Sequence, residues 1–182
     1  MRNPLKEFFS PRFVVGLEVT SKSIGVVQVN STLKGPEINK VVLKEVKNTE
    51  QVESDLKALF DQENLRYDIL VTCLPGSAAT VRRISLPFGK SKKLDKIIKY
   101  QTEPYVPYPI EEMIVDFLPP DPDGTITTIG VQKKVLSEHL GQMSRAGIQP
   151  DVVSLDSMAL FSLSLSNLYP EANQSPVGHR PF

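Results

Sequence analysis

The sequence predicts an α/β chain in which a main domain is interrupted by a smaller α+β module. Three observations lead there. Strand-like patterning dominates the first fifty residues, where Phe13–Val19 (FVVGLEV), Ile24–Val29 (IGVVQV) and Lys40–Val46 follow one another across polar turns. A near-continuous apolar run, Asp68–Leu74 (DILVTCL), reads as a buried strand and stops at Pro75-Gly76. After that break the pattern restarts. It closes with a second strand–helix unit, Val152–Leu155 and then a helix from Asp156 through Leu168.

The elements follow in order. The first two strands are joined by Thr20-Ser21-Lys22-Ser23, and Gly35-Pro36 supplies the turn before the third. Glu50–Glu63 carries Val52, Leu56, Leu59 and Phe60 at helical spacing, with Thr49 as its N-cap. Thr80–Leu86 (TVRRISL) alternates like a half-exposed strand. Ser91 caps a helix whose Leu94, Ile97 and Ile98 form one apolar stripe. Met113–Leu118 and Thr125–Val131 read as a hairpin-like pair around Pro119–Gly124. Leu136, Leu140 and Met143 mark another helix, ended by Gly147. The order β-β-β-α-β, β-α-β-β-α, β-α assigns residues 1–12 to a tail and 13–78 with 150–168 to the main domain. It assigns 79–149 to the inserted module and 169–182 to a linker.

Composition narrows the function classes. The chain has 182 residues, 40% of them hydrophobic, enough for a core. Lys plus Arg is 21 and Asp plus Glu is 21, so there is none of the basic excess of a dedicated nucleic-acid binder. One cysteine, Cys73, rules out a disulfide within the chain and reads as a small buried hydrophobe. No secretory signal opens the sequence, and no stretch reaches the roughly 18 apolar residues of a membrane span. A cytoplasmic location is expected.

No catalytic constellation stands out. Gly89-Lys90-Ser91 looks like the end of a phosphate-binding loop, but Ile84 occupies the position of the required first glycine. A turn and a helix cap account for it. Lys90, Lys92, Lys93 and Lys96 form a basic patch that reads as a solvated helix face or as a partner surface. The two histidines, His139 and His179, lack carboxylates or thiols at metal-ligand spacing, and His139 is expected on an exposed helix face. No G-x-S-x-G elbow is present. No metal site is expected. Gly16–Gly25 (GLEVTSKSIG) is the one place where nucleotide chemistry could sit, since turn amides and hydroxyls can wrap a phosphate; an ordinary polar hairpin explains it equally well.

The most distinctive stretch is Tyr100–Phe117, YQTEPYVPYPIEEMIVDF. It holds Pro104, Pro107 and Pro109, the tyrosines Tyr100, Tyr105 and Tyr108, and the pair Glu111–Glu112. Prolines stiffen a connector and tyrosines give apolar area with a polar tip, a combination suited to docking. Shaping the turn is the other role open to it.

FVVGLEVTSKSIGVVQV, LVTCLPGSAATVRRISLP, the helix from Ser91, EPYVPYPIEEMIVDF and AGIQPDVVSLDSMAL, in that order, resemble the PilM/GspL group of actin-like assembly proteins. These are FtsA-related proteins of type IV pilus and type II secretion systems. The resemblance implies the first lobe of an actin-like ATPase fold, subdomain 1A, with an inserted 1C module of the FtsA/PilM type. It also implies a second lobe whose first strand would begin near Phe182. In that family the first phosphate loop starts with Asp, has a small residue two positions on and a Lys further along. Here those positions hold Glu18, Thr20 and Gly25, so Glu18, Thr20, Ser21, Lys22 and Ser23 form a degenerate nucleotide loop, and ATP with Mg is not expected.

The resemblance therefore implies a non-enzymatic cytoplasmic scaffold, peripheral to the inner membrane, of a type II secretion or type IV pilus platform. Its implied partners are the assembly ATPase and inner-membrane platform proteins, with self-association through the insert and no nucleic acid. A partner peptide is expected near Thr80–Leu86 and Tyr105–Glu112, which makes Arg82, Arg83, Tyr105, Pro107, Tyr108, Glu111 and Glu112 the partner-binding candidates. The rival expectation is a nucleotide-binding PilM/FtsA-type ATPase using Glu18–Ser23.

Overall fold

The computed structural model describes residues 12–33, 35–85 and 94–168. These form strands β1 (Phe13–Val19), β2 (Ser23–Thr32) and β3 (Gly35–Glu45), helix α1 (Val52–Gln62), and strands β4 (Ile69–Leu74) and β5 (Ala79–Ser85). Helix α2 (Leu94–Thr102), strands β6 (Met113–Phe117) and β7 (Thr125–Gln132), helix α3 (Lys133–Arg145), β8 (Val152–Leu155) and α4 (Asp156–Leu168) follow. The chain divides into two compact units, one running to Leu74 and resuming at Leu140, the other Pro75–His139. The sequence placed the module at 79–149. The later boundary of the unit falls inside α3, which begins in one unit and ends in the other.

The first unit is built on a five-stranded sheet in the order β3-β2-β1-β4-β8. β1, β2 and β3 form an antiparallel meander, while β4 and β8 run parallel to β1. One face carries the core: Val15 and Leu17 of β1, Ile24 and Val26 of β2 and Leu70 of β4 pack with Leu56 and Leu59 of α1. Met143, Ala146 and Ile148 join the same cluster. Period-2 alternation on the strands and the i, i+3 spacing on α1 put these side chains on matching faces.

Two lysines of β3 tie the meander to α1: Lys40 Nζ lies 3.0 Å from a Glu63 oxygen and Lys44 Nζ 2.9 Å from Asp55. The β2–β3 register slips after Gln28, so that Asn39 is the extra residue of a bulge. Its side-chain amide is used there, donating to Gln28 Oε1 at 2.6 Å, while Gln28 Nε2 donates to the Arg66 carbonyl at 2.7 Å. Asp68 and Asp151 clamp strand starts. Asp68 Oδ2 accepts from the Arg12 and Phe13 amides, and Asp151 Oδ2 from the Leu70 amide.

Two helix ends differ in instructive ways. Thr49 opens a 3-10 turn rather than capping α1, and the cap is Asn48, whose side chain accepts from the Glu50 amide at 3.0 Å. Asn wins because its carbonyl oxygen reaches the second amide of the turn. α3 ends as its glycine predicts. Gly147 has φ +79°, its amide donates to Ser144, and the Ile148 amide donates back to Met143. This is the left-handed stop that satisfies the last carbonyls of a helix.

The second unit is a three-stranded antiparallel sheet, order β5-β7-β6, with α2 on one face. Ile84 and Ile126 of the sheet pack with Leu94 and Ile98 of α2. Gly130 of β7 lies under the end of the buried Met113 side chain: a Cβ there would lie 2.8 Å from Met113 Cε, so the methionine would have to shift. Ser91 and Lys90, Lys92 and Lys93 of the basic patch fall outside the described residues, as does His179.

Candidate functional site

The turn between β1 and β2 folds on itself. Thr20 Oγ1 accepts from the Lys22 amide at 3.2 Å and the Ser23 amide at 2.9 Å, and donates to the Ser23 carbonyl at 3.1 Å. The Thr20 amide donates to the same carbonyl at 2.9 Å. The Lys22 carbonyl accepts from the Val46 amide at 2.8 Å, fastening the turn to the end of β3. Thus three of the amides a phosphate would use, those of Thr20, Lys22 and Ser23, already have acceptors. The Thr20 hydroxyl stands where an anion's oxygen would. Glu18 is exposed at the end of β1, directly across from Gly25, which offers it no cation.

Beside this turn the structure gathers three groups that sequence reading kept apart. β1, β4 and β8 run parallel, so their last residues share one end of the sheet. Cys73 lies there on β4, and the charges of Glu18 and Asp156 both bear on its thiol. Burial first, then those two carboxylates, push the Cys73 thiol above its ordinary value. The thiol therefore stays protonated at neutral pH and is not an activated nucleophile. Cys73 is half-buried rather than enclosed, a correction to its reading as a core hydrophobe. It alternates away from Leu70, Thr72 and Leu74, the buried face of β4. Asp156 was legible only as a helix cap, and its side chain does accept from the Ser157 amide. The missed signal is positional: ligand sites of open α/β sheets gather at the carboxyl ends of parallel strands.

The Tyr100–Glu112 segment has a different character. Its floor is buried: Thr102 is inaccessible and donates to the Ile98 carbonyl at 2.7 Å, and Ile110 is inaccessible in a short 3-10 turn beside α2 and β6. Its tyrosines are not. Tyr100, Tyr105 and Tyr108 are 63%, 51% and 46% exposed, and Pro107, Glu111 and Glu112 are also exposed. The two arginines assigned to partner binding are held within the unit. Arg82 Nε donates to the Tyr105 carbonyl at 3.0 Å and its Nη1 to the Val81 carbonyl at 2.9 Å; Arg83 Nη2 lies 2.8 Å from Asp121 Oδ2. The Arg83 pair is solvent-exposed, so its charge remains available to the surroundings.

Other features are chemically quiet. His139 on α3 is half-buried, not exposed as its helix pattern suggested, and burial holds its imidazole below the ordinary value. A shallow groove of about 450 Å³, floored by Phe60, Leu65, Tyr67 and Ile148, contains none of the nucleotide-loop or partner-binding candidates read from sequence. Among the described residues no group of three or more His, Cys, Asp or Glu side chains could hold a metal. No helix among them is long and apolar enough to cross a membrane.

Residues 37–166, well over half of the chain, match the family described as type II secretion system (T2SS), protein L. The chain belongs to that family. Its fold recurs in solved structures of low sequence identity. One is the PilM–PilN type IV pilus biogenesis complex, at TM-score 0.74 and 21% identity, covering 87% of this chain and 52% of that one. Another is the cytoplasmic domain of EpsL, an inner-membrane component of the type II secretion system of Vibrio cholerae. It matches at TM-score 0.60 and 19% identity, covering 82% of this chain and 59% of that one. This chain thus shares its fold with both of these structures. The chain spans between about half and three-fifths of the length of these matched structures.

Proposed function

We propose that this lobe is a non-catalytic scaffold of a type II secretion or type IV pilus platform on the cytoplasmic side of the inner membrane. It docks platform proteins and the assembly ATPase through its surface rather than acting on a small molecule. The observation that carries the reading is the family match across residues 37–166, joined to a turn whose amides are spent on Thr20. A nucleotide phosphate would have to displace those bonds and would meet the Glu18 carboxylate across from Gly25, so the residues present do not fit ATP with Mg.

The exposed Tyr105, Tyr108 and Glu111–Glu112 then supply a docking surface: amphipathic rings on a proline-stiffened backbone lose little entropy on binding. Pull-down of cytoplasmic segments of inner-membrane partners and of the assembly ATPase by the 182-residue chain tests the scaffold reading. Capture of at least one is the expected result, and failure with all of them removes it. Calorimetry with Mg-ATP is expected to show no heat of binding; saturable binding abolished by Glu18→Ala would restore the ATPase reading.

A further inference from the structure

We propose that a second copy of this chain covers the outer face of the β2–β3 hairpin, the two faces packing on one another about a two-fold axis, an association that does not depend on the scaffold reading above. A strand with one face on a core and the other in water alternates apolar-in and polar-out. β3 does the reverse with its charges. Lys40 and Lys44 turn to carboxylates of Glu63 and Asp55 on the α1 side, where Val42 also packs. Ile38, Val41 and Leu43 point the other way and are 70%, 66% and 76% exposed. The two ion pairs hold this register, so the inversion is not a one-residue slip of the strand.

Neighbouring strands extend the same face. Val41 lies opposite Val27, Leu43 opposite Gly25 and Ile38 opposite Val29. The bulge at Asn39 is what keeps Ile38 there, because without the extra residue Ile38 would alternate onto the α1 side. Val27 is exposed, and its neighbour on β1 is Gly16, where an added Cβ would meet nothing nearer than the Val27 carbonyl oxygen at 3.9 Å. The face is flat, apolar and open to solvent, the character of an interaction surface.

The occupant follows from charge and area. Arg12 is exposed just before β1 begins. Glu18 and Glu45 are exposed at the opposite end, where β1 and β3 finish, Glu18 across from Gly25 and Glu45 across from Ser23. Among the described residues none of these three charges is in an ion pair. Two copies stacked face to face with strands antiparallel bring Arg12 of each over the acidic end of the other. Stacked in the parallel sense, acids would meet acids. Val27, Ile38, Val41 and Leu43 offer several hundred Å² of apolar surface per copy, short of the roughly 800 Å² per partner of a standard interface, so the dimer is weak and reversible. The two-fold axis makes both halves of the contact identical and closes the pair.

The test is sedimentation equilibrium of the 182-residue chain between about 10 μM and 1 mM, with amide spectra of the labelled chain over the same range. A monomer–dimer equilibrium is expected, and the amides of β2 and β3 should shift or broaden with concentration while those of β5, β6 and β7 do not. Leu43→Lys should raise the dissociation constant at least about tenfold. The position is exposed, and an unchanged thermal midpoint checks that the fold survives. Arg12→Glu and Glu18→Arg should each weaken the dimer at least about threefold, and the two together should restore it. A monomer at every concentration, a dimer untouched by Leu43→Lys, or a double variant no better than the single ones would overturn the proposal. So would concentration-dependent changes confined to Pro75–His139, because the copies would then meet through the inserted module. Loss of platform-segment capture by Leu43→Lys from a wild-type chain that stays monomeric would give the face to a partner instead, and the scaffold reading would stand.

Discussion

Two polar connectors, each bordering a sheet, have opposite designs. The Thr20–Ser23 turn closes on itself: its hydroxyl and amides are one another's partners. The Tyr100–Glu112 segment is closed below and open above, with Thr102 and Ile110 buried and three tyrosines left in solvent. A connector whose polar groups are internally satisfied has little left to offer a ligand. A connector anchored by one aliphatic side chain has a surface free for something else. On the proposed scaffold reading the functional weight falls on the second.

The largest effect expected is on the anchor. Ile110 is 1% exposed, and truncating such a side chain loses transfer free energy and leaves a cavity. Ile110→Ala should destabilise the Pro75–His139 unit by about 2–4 kcal/mol. Hydrogen exchange reads this best, because the amides of β5, β6 and β7 should lose protection while those of β1 and β4 keep theirs. Equal losses in both units would show that the segment does not anchor its own module.

Next in size is the closed turn. Thr20→Ala removes the acceptor of two amides and should cost about 1 kcal/mol, seen as a lower denaturant midpoint with unchanged slope. Thr20→Ser keeps the hydroxyl and should recover most of it. If Thr20→Ala instead leaves stability unchanged and gains Mg-ATP binding, the turn was blocked rather than built to close.

How much of this was legible in sequence differs between the two connectors. β1 and β8 were read with their observed bounds, because each is a short run rich in Val and Leu bounded by turn or capping residues. Lys40–Val46 captured only the C-terminal part of β3, since Glu37, Asn39 and the bulge break the alternation. Thr49 looked like the cap of α1, but local sequence cannot show that the chain first makes a 3-10 turn capped by Asn48. The turn's residues were found by spacing, yet their self-pairing was not, because a hydroxyl's choice between its own backbone and a ligand leaves no mark on residue order. The gathering of Glu18, Cys73 and Asp156 needed the parallel pairing of β1, β4 and β8, a long-range fact. Exposure of the tyrosines was equally unreadable, since their spacing serves a buried turn or an open surface alike.

The tyrosines supply the third prediction. Tyr105→Ala and Tyr108→Ala should each change stability by less than about 0.5 kcal/mol, as exposed positions do. The same variants should weaken capture of platform segments by about tenfold. A stability loss comparable with Ile110→Ala would mean that the rings belong to the anchor, and the contrast between the connectors would collapse.

The smallest effect probes the closed side again, through Cys73. Burial is the first cause of its raised pKa, and the Glu18 charge comes next. Glu18→Gln leaves the burial and removes that charge, so the thiol pKa should fall part of the way back. Alkylation of the folded protein by iodoacetamide at mildly alkaline pH should then speed up by about two- to fourfold, because the thiolate is the reactive form. The stability linkage has the same sign. A thiol whose folded pKa lies above its unfolded value costs stability as the pH rises past the unfolded value and through the folded one, and the variant should lose less over that window. Unchanged alkylation would mean that Glu18 does not bear on Cys73. The end of β1 would then be as open as the tyrosine segment, with its carboxylate free for a ligand after all.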